Sequence, residues 1–91
     1  MKKSEIQKVS GLFKLASDPL RLTLIDYLGE GSKNVTELCE LSGGSQPTVS
    51  QHLAFLRASS VVTNDRKGKH NYYSLTDSGR TILDAAKTLA G

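Results

Sequence analysis

The sequence predicts a mainly α fold with one β-hairpin, built as a single domain over residues 1–91. Three observations carry that expectation. Apolar residues recur at helical spacing through the first two thirds of the chain and again at its end. Two β-branched and aromatic runs, Val61-Val62-Thr63 and Asn71-Tyr72-Tyr73-Ser74-Leu75, flank a polar stretch able to turn. No repeat, low-complexity segment or linker divides the chain, and 91 residues suit one modest core that a partner subunit would extend.

The elements follow in order. Ser4 with Gln7 fits a capping box, and Ile6, Val9, Phe13 and Ala16 mark one face of a first helix to about Ser17. Asp18 before Pro19 starts a second, because proline tolerates the first turn, where its missing N–H is not needed. Leu20, Leu24, Ile25 and Leu28 give it an apolar side, and Gly29 and Gly31 end it. Thr36 is the expected cap of a short third helix through Leu41, stopped by Gly43-Gly44. A fourth helix starts at Ser45 or Gln46 and seats Val49, Leu53 and Leu56 inward. The hairpin comes next, with Asn64 to His70 as its tip. Thr76-Asp77 opens a last helix carrying Ile82, Ala85, Ala86 and Leu89 at helical spacing, in spite of Gly79.

Charge is unevenly spread along this frame. Asp18 to Glu40 holds five acids against two bases, whereas Leu41 to Thr76 holds four bases against one acid. Positive charge therefore gathers where the fourth helix and the hairpin lie, an asymmetry that suits a polyanion. The fourth helix, SQPTVSQHLAFLR, has no acidic residue, and its outward side chains are short neutral hydrogen-bonders. Two helices joined by a Gly-containing turn form a helix-turn-helix, whose second helix can enter the major groove of DNA.

DNA recognition needs phosphate contacts for affinity and groups at base edges for sequence preference. Ser45, Gln46, Thr48, Ser50 and Gln51 lie toward the start of the fourth helix and are the expected base readers or hydroxyl contacts, since Gln can pair with the N6 and N7 edge of adenine. His52 borders the inward stripe, as a DNA contact or a packed imidazole. Arg57 is suited to a phosphate or to the last carbonyls of its own helix. Arg66, Lys67 and Lys69 make the hairpin tip basic, able to follow a DNA backbone or enter a minor groove. Double-stranded DNA is thus the expected partner. An acidic protein bound by the same surface is the alternative.

These segments also carry a resemblance. LASDPLRLTLIDYL, VTELCELSG, SQPTVSQHLAFLRASSVV and DRKGKHNYYSL together resemble the ArsR/SmtB family of bacterial winged-helix repressors from about Leu12 to Leu75. The SQxTVSQHLxxLR pattern, followed by a basic-Gly-basic turn and YYSL, is specific as a set. The resemblance implies a winged helix-turn-helix homodimer, joined through its first and last helices, that binds an inverted-repeat operator and represses until an inducer arrives. Ile6, Val9 and Phe13, with Ile82, Ala86 and Leu89, supply apolar faces for that interface, or for packing within one subunit.

Members with a CxC pair in the third helix bind soft metals there. Here Cys39 matches the first cysteine and Leu41 stands where the second would be, and one thiolate is a poor cage. The C-terminal metal site of other members uses Asp, His and Glu ligands, whereas the last helix here has Asp77 and Asp84 and no His. No metal and no cofactor is expected. Cys39 could serve as a redox switch, but Glu37 and Glu40 flank it and oppose the thiolate, so a small buried hydrophobe is the simpler role. No arrangement of nucleophile, base and acid suggests an enzyme. A single cysteine, no apolar run long enough for a membrane span and no recognisable secretory signal lead to a cytoplasmic expectation.

Overall fold

The computed structural model describes residues 1–91. Its order is α1 (Lys3–Ala16), α2 (Pro19–Leu28), β1 (Lys33–Asn34), α3 (Val35–Ser42), α4 (Gln46–Ala58), β2 (Val62–Lys67), β3 (His70–Leu75) and α5 (Asp77–Ala90). The mainly α winged arrangement expected from the sequence is what forms. Helices α2, α3 and α4 pack on one another, α2 and α4 also on the hairpin and α3 on β1, while α1 lies against α2 and α5 against α2 and β3. Leu24, Ile25 and Leu28 of α2, Leu38 of α3, Val49, Leu53 and Leu56 of α4, and Val61 and Val62 before and within β2 are nearly free of solvent. Each such aliphatic side chain contributes roughly 1.5–3 kcal/mol of burial. Leu15 and Leu83 are what α1 and α5 add to this core.

The helix starts differ from expectation at two places. Helix α1 begins at Lys3, where Glu5 Oε1 accepts the Lys2 backbone N–H at 2.6 Å, so Ser4 and Gln7 form no capping box. Helix α3 is capped by Asn34 rather than Thr36. The Asn34 Oδ1 accepts the Glu37 N–H and the Glu37 Oε1 accepts the Asn34 N–H, both at 2.9 Å. Asn34 takes this role because it also ends β1, a two-residue strand that local sequence pattern cannot reveal and that exists only through its pairing with Tyr72 and Tyr73. The start of α2 is as expected, with Asp18 Oδ1 accepting the Arg21 N–H at 3.0 Å.

The sheet has the order β1-β3-β2 and is antiparallel throughout. The hairpin is longer than its apolar runs suggested. Pairing continues through Asp65↔Tyr72, Arg66↔Asn71 and Lys67↔His70, so the tip is only Gly68-Lys69 rather than the whole stretch from Asn64 to His70. Gly68 has φ +63°, and no non-glycine residue of the loop has positive φ. A glycine at the first of two loop positions with that sign fits the tight turns that match strand twist.

Two junctions fasten the ends of the functional elements. Helix α4 closes with Ser60 at φ +59°, Ser60 N–H donating to Arg57 O at 3.0 Å and Val61 N–H donating to Leu56 O at 2.9 Å. Together with the buried Leu56 and Val61 these bonds make a Schellman motif. Thr76 then caps α5: its hydroxyl accepts the Gly79 N–H at 3.2 Å and shares its own hydrogen between Ser60 O (2.6 Å) and Val61 O (3.0 Å). Gly79 is the residue this junction requires, because a Cβ there would run into the Val61 carbonyl oxygen.

Candidate nucleic-acid interface

Helix α4 is held by one stripe. Val49, Leu53 and Leu56 are completely buried, and at 3.6 residues per turn Gln51 projects opposite them together with Pro47, Ala54 and Ala58. Thr48 and Phe55 stand on one flank, and Gln46, Ser50 and Arg57 on the other. Ser45, Gln46, Thr48, Gln51 and Arg57 are exposed, and Ser50 is half-buried. The exposed hydrogen-bonders expected from the sequence are Gln46, Thr48 and Gln51, and the outermost face also carries the apolar Pro47, Ala54 and Ala58 beside Gln51.

Its first turn is open. Ser45 occupies the cap position, but its hydroxyl donates to Thr48 Oγ1 at 3.0 Å instead of capping a backbone amide. With Pro47 in the first turn, the remaining N–H groups there have no side-chain acceptor in the chain, which is the arrangement that suits an incoming anion. At the other end the last carbonyls are taken by Ser59, Ser60 and Val61 N–H groups. Arg57 is exposed and makes no hydrogen bond to them.

His52 is half-buried and turned toward α2. Asp18, at the start of that helix, has its carboxyl held below its ordinary value by the Arg21 backbone N–H first of all, against partial desolvation, and further by the charges of His52 and Arg21. The Arg21 guanidinium lies 3.8 Å from Asp18 Oδ2 and 4.7 Å from the centre of the Phe55 ring. Neither Arg21 nor Phe55 emerges from reading motifs. The one available signal is that Phe55, 47% exposed, is an apolar residue outside the 49/53/56 stripe.

In the hairpin the basic residues divide. Side chains alternate along a strand, so Val62, Asn64 and Arg66 share the face of Asn71, Tyr73 and Leu75, while Lys67 shares the other with His70 and Tyr72. Arg66 Nε donates to the Gly68 carbonyl at 3.2 Å, folding back on the tip. Lys67 and Lys69 are exposed and make no hydrogen bond or ion pair, and the His70 and Tyr72 rings pack edge to face at 6.3 Å.

About half of the chain, from the start of α2 to the middle of β2, coincides with a known family: the model for the bacterial regulatory proteins of the arsR family matches residues 18–64. The chain belongs to the ArsR family. That family is one of DNA-binding transcriptional regulators rather than enzymes. Among ArsR-type relatives, the transcriptional repressor SdpR of Bacillus subtilis is 36% identical over 67 residues, 74% of each chain. The repressor SmtB of Mycobacterium tuberculosis is 37% identical over 84 residues, which cover 89% of this chain and 62% of that one. The crystal structure of the transcriptional repressor BigR from Xylella fastidiosa superposes with a TM-score of 0.84 at 36% identity, over 96% of this chain and 87% of that one. The match thus spans 74% of the length of SdpR and 62% of that of SmtB.

The remaining residues of interest lie elsewhere. Val9, Phe13, Ile82, Ala86 and Leu89 line a cleft of about 530 Å³ between α1 and α5, along with Leu22 of α2, whereas Ile6 lies outside it. Phe13 is 65% and Leu89 82% exposed, so neither is packed within the subunit. Ile82 does pack partly against the core. Cys39 is a free thiol packed at the core margin. No three His, Cys, Asp or Glu side chains meet in a group that could hold a metal ion, and no helix is long and apolar enough to cross a membrane.

Proposed function

We propose that the chain is a homodimeric, cytoplasmic transcriptional repressor that places α4 of each subunit in a major groove of an inverted-repeat operator. The single observation that carries this reading is the outer surface of α4: Gln46, Thr48 and Gln51 exposed above a fully buried stripe, with no carboxylate among them and the first turn uncapped by any side chain. Gln51 is the principal base reader. Gln46, Thr48 and Ser50 assist it, and Ser45 and the open helix start meet a phosphate. Arg57, Lys67 and Lys69 supply sequence-independent contacts, with Arg66 shaping the turn that presents them. His52 serves the surface from its edge.

Dimerisation would use the cleft between α1 and α5. Leaving Phe13 and Leu89 in water forgoes roughly 1.5–3 kcal/mol each, which a second subunit would recover. The whole chain then acts as one domain with its outer helices as the interface, and half-sites lie about one helical turn, about 34 Å, apart. The likeness to SdpR, SmtB and BigR, each described as a repressor, supports repression as the output.

Selection from a random duplex library, followed by anisotropy titration of the winning sequence, tests this. A palindromic site bound far more tightly than random DNA is expected, with affinity falling steeply as salt rises. Equal binding of all duplexes at moderate salt would overturn it.

A further inference from the structure

A helix seated by a single stripe can still roll about its own axis. In α4 the stripe of Val49, Leu53 and Leu56 sets how deeply the helix sits, but the angle at which Gln51 and Thr48 leave the body needs a lateral contact. Beside its packing on α3 and β2, α4 has one such contact through Phe55. Phe55 follows Gln51 by four residues, so its ring stands beside Gln51 on the helix surface, and it follows Thr48 by seven, on the same flank two turns further along. Against that ring lies Arg21, which belongs to α2, a helix set in the core through Leu24, Ile25 and Leu28.

We infer that Arg21 is a positioning residue for DNA reading, tying the start of α2 to Phe55 so that α4 presents Gln51 and Thr48 at one angle; the inference rests on the DNA-binding function proposed above. Its guanidinium is anchored on one side by Asp18, at 3.8 Å, and stacks on Phe55 at 4.7 Å on the other. The side chain is only 20% exposed, and its Nε is buried without a hydrogen-bond acceptor. Hydrogen bonding therefore does not account for this placement. The Asp18 charge and the quadrupole of the ring do. The same surroundings argue against a direct phosphate contact, because Asp18 beside the guanidinium repels an anion. Hydrogen bonds to base edges weaken steeply with angle, so a small roll of α4 reduces discrimination while leaving general attraction to the backbone intact.

The experiment is a double-mutant cycle read by anisotropy on the duplex that the wild type selects and on a random duplex. Arg21→Met and Phe55→Leu are each expected to lower the selected-to-random affinity ratio roughly three- to tenfold. Random-duplex affinity and salt slope stay at the wild-type values, and the double variant loses no more than the worse single one. Arg21→Lys keeps a cation over the ring and recovers part of the ratio. Thermal unfolding accompanies each variant; if Arg21→Met does not fold, Arg21→Lys and Phe55→Leu complete the cycle. Unchanged discrimination, additive losses, or a salt slope reduced by about one would overturn the inference, the last by making Arg21 a phosphate contact. A wild type that selects no duplex would overturn the DNA reading itself, whereas a selective wild type with equally selective variants removes this inference alone.

Discussion

The outer surface of α4 and the cleft between α1 and α5 are both exposed faces of helices, yet they leave opposite chemistry in water. On α4 the exposed residues include Gln46, Thr48 and Gln51, groups that water already satisfies and that gain only from a partner with matching donors and acceptors, alongside Pro47, Ala54, Phe55, Arg57 and Ala58. Across the cleft they are Phe13 and Leu89, which water satisfies poorly and which gain from any apolar cover. The difference teaches that exposure alone does not name a function. A polar face specifies its partner by geometry and is weak by itself, while an apolar face binds through area and tolerates imprecision.

The comparison breaks most visibly at the cleft. Phe13→Glu puts a charge where a second subunit would bury a ring, and sedimentation should show the wild type as a dimer and the variant as a monomer. With one half-site engaged at a time, operator affinity should fall on the order of a hundredfold. A variant that remains dimeric would remove the cleft from the interface.

Gln51→Ala should act in the opposite manner, leaving dimerisation untouched. Discrimination at one base pair in each half-site should drop by about 1–3 kcal/mol, measured against a panel of substituted operators, with the salt slope unchanged. Lys67→Ala should lower affinity for all duplexes alike and reduce the slope of log K against log salt by about one per lost contact. If Lys67→Ala altered base preference instead, the division of labour between helix and hairpin would be reversed.

The smallest effect concerns the edge of the polar face. Asp18 has a carboxyl held below its ordinary value, so it stabilises the folded state above its unfolded pKa of about 3.9, and that contribution disappears as pH falls through the lower folded value. Asp18→Asn should therefore be less stable than wild type at pH 6, with the gap narrowing in acid, as followed by denaturant titration. A gap that widened in acid would contradict the arrangement of Arg21 and His52 around this carboxylate.

Much of the architecture was legible because it rests on local rules. The Asp18-Pro19 start, the stripe on α4, the Gly43-Gly44 stop and the two hairpin runs each state their conformation within a few residues. Where reading failed, a strand partner decided, far along the chain for Asn34 and across the tight turn for Arg66 and Lys67. Asn34 displaced Thr36 as a cap because β3 paired with β1, and Arg66 and Lys67 became strand residues because Asn71 and His70 lay opposite them. On α4, the outward position of Gln51 was legible from periodicity, whereas the contact of Arg21 with Phe55 was not, since 34 positions separate them in sequence and one ring stacking joins them in space.

By itself, then, the sequence determined which segments become helices, which side of each turns inward and where positive charge collects, because those depend on spacing, caps and composition. Only the tertiary structure decided that Leu83 rather than Leu89 enters the core, that Lys67 and Arg66 look to opposite sides of the hairpin, and that α2 braces the flank of α4. Periodicity fixes directions about one axis. How those axes are set against each other is a matter of packing, and packing is settled by residues that the chain brings together from a distance.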